Sequence, residues 1–180
     1  MILQPLYVLV CFILDMIIND LLPFNYAASS MVFISSLGFC ALILVTRKKD
    51  LISAFIFSVI VGFIYGLFIP NSLVLYPILF TVAMLITRIW SSNLNDTIIE
   101  VLILCMLAIF VKDLLLYLFM KIAGITVISL IGWVRIYLFS AIIGHIIPVL
   151  LIILLYHQFN NWSKDNQKKK LNKEHIVWNK

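Results

Sequence analysis

Charged and amide side chains set inside apolar runs are the residues here whose types and spacing could do chemistry. Asp15, Asn19 and Asp20 lie in an otherwise aliphatic run near the N-terminus. Asp15 and Asn19 are four apart, so on a helix they share a face. Further along, Lys112 and Asp113 stand side by side in a long apolar stretch. Helix neighbours point about 100° apart, so this pair is not expected to neutralise itself, and each member needs a partner elsewhere. A charge at mid-bilayer costs on the order of 2.5–3.5 kcal/mol on insertion scales. Two uses offset that cost: an ion or proton path, or the locking of one helix to another. Depth favours locking. At about 1.5 Å rise per residue, Asp15 lies about 18 Å along its run, Asp20 about 25 Å, and Lys112 about 22 Å along its own. The expectation is an interhelical pair of Lys112 with Asp15 or Asp20, and no relay of carboxylates accompanies it.

The remaining candidates are weaker. His145 stands alone in Gly144-His145-Ile146-Ile147-Pro148, where Pro148 is expected to kink a helix. A lone histidine of this kind reads as a packing residue bonded near the kink. Cys11, Cys40 and Cys105 fall in separate apolar runs without metal-ligand spacing, and read as small packing residues. The sequence offers no nucleophile with a base, no ligand cluster for a metal and no glycine-rich phosphate loop. No enzymatic activity, cofactor or metal is therefore expected.

The elements that must position these residues follow from composition. Of 180 residues, 64 % are apolar and the mean hydropathy is +1.14, against about 45–50 % apolar in soluble domains. The surplus must face lipid. A spanning helix takes about 20 apolar residues, and about six segments qualify: Leu3–Leu22, Tyr26–Val45, Leu51–Ile69, Ser72–Trp90, Thr97–Ile122 and Trp133–Tyr156. Between the last two, Lys121 to Arg135 stays apolar and reads as an interfacial or re-entrant piece. The expected fold is an all-α polytopic transmembrane bundle over residues 1–157, followed by a basic cytoplasmic tail over 158–180. The first apolar run lacks a basic flank and a small-residue cleavage site, so it reads as a span.

Basic residues set the orientation. With both termini in the cytoplasm, Arg47, Lys48, Lys49, Arg88 and the six tail lysines lie inside, while Lys121 and Arg135 lie outside. The tail, with Lys168-Lys169-Lys170, is expected to lie on anionic lipid with Trp162 and Trp178 at the interface. The net charge of +5 thus reads as topology. Nucleic-acid binding is not expected, because no folded basic surface could fit a groove.

Small residues recur at Ser58, Gly62 and Gly66. Four-residue spacing of this kind lets a second helix backbone approach closely in lipid, and that helix is either internal or a partner's. The stretch from Gly62 through Tyr65-Gly66, Pro70-Asn71-Ser72 and Tyr76-Pro77 to Phe80, with an acidic first span and short outer loops, resembles the MreD family of bacterial rod-shape-determining proteins. That family often carries Asp at the position of Gly66 and Gly at that of Val74. The resemblance implies a non-enzymatic subunit of the cell-elongation machinery, partnered by an MreC-like single-span protein and, through it, by cell-wall synthases. It also implies a fold similar to the substrate-binding subunits of energy-coupling-factor vitamin transporters. Such a subunit is the alternative function. It would need a cavity with convergent polar groups, and commonly carries its small-residue spacing near the N-terminus.

Overall fold

A computed structural model describes residues 3–21, 34–69, 72–91, 94–95, 97–138 and 141–159. Among them the chain is helical, without a strand: α1 (Leu3–Leu21), α2 (Leu37–Thr46), α3 (Leu51–Phe68), α4 (Leu75–Ser91), α5 (Ile98–Ile122), the short α6 (Leu130–Trp133) with a π-helical turn at Val134–Leu138, and α7 (Ala141–Phe159). α1, α3, α5 and α7 are long and apolar enough to cross a membrane, while α2 and α4 are shorter apolar helices. The 158–180 tail falls almost wholly outside the described residues, as do Trp162 and Trp178.

Local signals set the helix ends. Asp50 caps α3, its carboxylate accepting the Ser53 N–H at 3.0 Å. Thr97 caps α5 by accepting the Glu100 N–H at 3.4 Å, the threonine-to-glutamate spacing of a capping box. Pro5 and Pro77 sit in first turns, where the missing N–H has no intrahelical acceptor to lose. α5 runs through Lys112-Asp113 without a break and stops at Gly124. That glycine takes φ +70°, a left-handed conformation that closes a helix end without a side-chain clash.

α2 is the hub. Every one of its ten residues is buried, and it packs against α1, α3, α4 and α5. Its apolar residues surround the helix on all sides, which suits an interior position. At about 15 Å it is half the length of a bilayer core. Of the span expected over Tyr26–Val45, residues 26–33 lie outside the described residues; in the described part Ile34–Ser36 is not helical and α2 starts at Leu37, so the expected continuous helix is corrected there. The physical reason is that side chains of α1 engage the backbone at this point, as described below. Of the last expected span, Trp133–Tyr156, Trp133 closes α6, Val134–Leu138 is the π-helical turn and α7 is described from Ala141; residues 139–140 lie outside the described residues. Outward faces such as Ile13 and Ile17 of α1, Ile52 and Leu67 of α3, and Ile147 and Leu151 of α7 are exposed. In water that surface would cost roughly 25 cal/mol per Å²; in lipid it costs nothing.

Candidate functional site

The intramembrane polar residues converge where α2 begins. Asp15, on α1, is buried. Its Oδ1 accepts the Ser35 hydroxyl and the Leu37 N–H, the latter at 2.7 Å, and its Oδ2 accepts the Gly38 N–H at 2.7 Å. Asn19, one turn on, accepts the Ser35 N–H at 2.9 Å. The shared face expected of Asp15 and Asn19 is therefore the face that meets α2. A carboxylate there satisfies N–H groups that a helix start leaves unpaired, and it opposes the positive end of the helix dipole.

Lys112, on α5, is buried and approaches from the other side. Its ammonium donates to the Ser36 hydroxyl and pairs with Asp113 Oδ1 at 2.9 Å. The direct pairing of Lys112 with Asp15 or Asp20 is thus corrected. Asp15 is engaged by α2, Asp20 is exposed, and Lys112 folds back onto its own neighbour. The 100° argument considers only where side chains leave the helix, whereas four rotatable bonds let a lysine curl across that angle. α1 and α5 are joined all the same, through the adjacent hydroxyls of Ser35 and Ser36.

The other end of α2 holds the opposite charge. Arg88, on α4, donates from Nη2 to the Lys49 carbonyl at 2.6 Å and from Nη1 to the Thr46 carbonyl at 3.4 Å. A cation on the last carbonyl of α2 and on the Lys49 carbonyl just beyond it complements the carboxylate on the amides at its start.

The small-residue face is internal. A Cβ built at Gly62 would lie 2.5 Å from the Pro77 Cα, and one at Gly66 would lie 3.0 Å from the Leu73 Cα. Ser58 is buried and bonds back to the Ala54 carbonyl at 2.8 Å. This stripe is the close contact between α3 and α4. His145 is buried, its Nδ1 lying 2.7 Å from the Ala141 carbonyl one turn back. The three cysteines are buried thiols.

Sequence reasoning missed a cavity of about 760 Å³ beside this polar centre. Asp15, Asn19, Asp20, Lys112 and Asp113 border it together with Phe12, Phe39, Tyr65, Tyr76 and Phe80. The aromatic rings form a continuous wall, with centroid separations of 4.8 Å for Phe12–Tyr65, 4.7 Å for Tyr65–Tyr76 and 5.1 Å for Phe39–Phe80. A second, more apolar cavity of about 590 Å³ lies along α5 towards Trp133 and also borders Asp113. Ser35-Ser36 inside an apolar run was a further sign of the polar centre, beside the charged residues already singled out. The aromatic wall had none, because its rings come from four helices.

No family model, curated protein or solved structure matches the chain.

Proposed function

We propose that the chain is a non-enzymatic membrane scaffold of the MreD kind, a subunit of the cell-elongation machinery of a walled bacterium. In this reading α2 and α4 join the four long helices in about six crossings, with both termini cytoplasmic. The basic tail rests on anionic lipid. The partner is an MreC-like single-span protein that connects to cell-wall synthases. The supporting observation is the use made of the buried charges: Asp15 and Lys112 are committed to holding α1, α2 and α5 together. A bundle fixed in this way presents its exposed apolar helix faces to other membrane helices. Such contacts depend on packing within lipid, so detergent strength should disturb the complex more than salt. The test is depletion in the native host together with co-purification. Altered cell shape or wall synthesis, and capture of a single-span partner, are the expected results. A nutrient requirement with capture of an ATPase module would replace this reading.

One observation favours the second reading, a substrate-binding subunit of an energy-coupling-factor type vitamin transporter. The cavity of about 760 Å³ falls within the usual ~300–1,000 Å³ of small-molecule sites. Against it, the small-residue stripe lies on α3 and is covered by α4, so it is not open to a coupling partner.

A further inference from the structure

We infer that the cavity beside α2 binds a small organic cation with an apolar or aromatic body. The inference goes beyond the scaffold reading and requires no transport step. It rests on which wall groups are already engaged. Asp15 accepts three bonds, from the Ser35 hydroxyl and the first amides of α2. Lys112, the ammonium on the wall, is held by Asp113 Oδ1 and Ser36. Asp113 pairs with Lys112 through Oδ1 and Asp20 is exposed, and both residues border the cavity. With three carboxylates facing one ammonium, the wall attracts positive charge and disfavours an anion.

The aromatic part of the lining suits the same ligand. Tyr65, Tyr76 and Phe80 lie within 5.5 Å of one another, centroid to centroid. Aromatic faces draw cations through the ring quadrupole, most strongly where water is excluded. An alkylammonium group between this wall and Asp113 would meet both kinds of attraction. Its apolar body could extend along Leu116 and Met120 into the second cavity, which those residues also border.

The experiment is isothermal titration of the full purified chain, in mild detergent, with benzyltrimethylammonium, benzyl alcohol and benzoate. Saturable binding of the cation, at least about tenfold tighter than either analogue, is the expected result. Asp113→Asn and Tyr65→Leu should each weaken it by about tenfold. Asp20→Asn, at an exposed position where folding is not at stake, should weaken it by a smaller factor. The inference fails if no saturable heat is seen. It also fails if benzoate or benzyl alcohol binds as well as the cation, or if the folded variants bind the cation unchanged. Cell-shape and co-purification results do not bear on this outcome, so the two proposals stand or fall separately.

Discussion

The two ends of α2 present the same electrostatic problem and receive opposite answers. A ten-residue helix buried in a membrane bundle leaves amides unpaired at one end and carbonyls at the other. At the first end a carboxylate from α1 takes the Leu37 and Gly38 N–H groups; at the second an arginine from α4 takes the Thr46 and Lys49 carbonyls. Burial separates them. Asp15 is 1 % exposed, whereas Arg88 is only half-buried. The surroundings differ too: the Asp15 end adjoins a cavity of about 760 Å³, the Arg88 end a void of about 10 Å³, room for one water at most. One end combines full burial of charge with open space, and the other is partly solvated and closed. A site for a ligand fits the first end and not the second.

The largest effect expected follows from burial. Asp15→Leu removes the acceptor for two buried N–H groups and the Ser35 hydroxyl, at about 1–3 kcal/mol for each unsatisfied group. The variant should fail to accumulate or should unfold far below the parent in detergent. Asp15→Asn keeps one acceptor oxygen and should lose less. If thermal unfolding shows no difference between parent and Asp15→Leu, α2 is not held from this end.

Next comes the ion pair on α5. Lys112→Leu leaves Asp113 without its partner, and adding Asp113→Leu should restore part of the loss. The double-mutant cycle should give a coupling of about 1–3 kcal/mol. A parallel cycle between Lys112 and Asp15 should give less, because those two meet only through Ser35 and Ser36. The reverse order would reinstate the direct interhelical pair that depth alone suggests.

At the far end of α2, Arg88→Met should cost about 1–2 kcal/mol, the value of hydrogen bonds from a charged donor reduced by access to water. Arg88→Lys should recover part of that, because one donor still reaches a carbonyl. Unfolding measurements that rank Arg88→Met above Asp15→Leu would invert the comparison between the two ends.

Hydropathy made the long helices legible, because a run such as Leu51–Phe68 admits few other readings in a chain this apolar. It misjudged α2. Residues up to Val45 are as apolar as a span requires, but whether the helix starts at Tyr26 or Leu37 depends on a carboxylate arriving from another helix. Asp15, Asn19, Lys112 and Asp113 were recognisable as out of place in lipid, and all four meet near the start of α2. Which of them pair was not recognisable, since side-chain length and the appetite of a helix start for an anion outweigh depth. The cavity left no trace, because a void is set by what several helices fail to fill. Gly62 and Gly66 announced a close approach without naming its partner, and Pro77 of α4 and Leu73 in the turn before α4 supply it.

The smallest effect concerns Asp50, one turn beyond the Arg88 end and outside the apolar spans. The Ser53 backbone N–H, with help from the Ser53 hydroxyl, holds its carboxyl below the usual carboxylate range. Folding therefore favours the ionised form. Its contribution to the start of α3 is complete above the ordinary carboxylate pKa of about 3.9 and is lost as pH falls through the lowered value. The side chain is fully exposed, so the consequence is local fraying of the first turn, Leu51–Ala54, not global unfolding. Hydrogen exchange read at those amides, and corrected for intrinsic exchange, should show protection falling on acidification in the parent. Asp50→Asn can still accept the Ser53 N–H but has no proton to gain, so its protection should be lower at neutral pH and flat into acid. An equal acid-dependent loss in Asp50→Asn would assign the titration to another group.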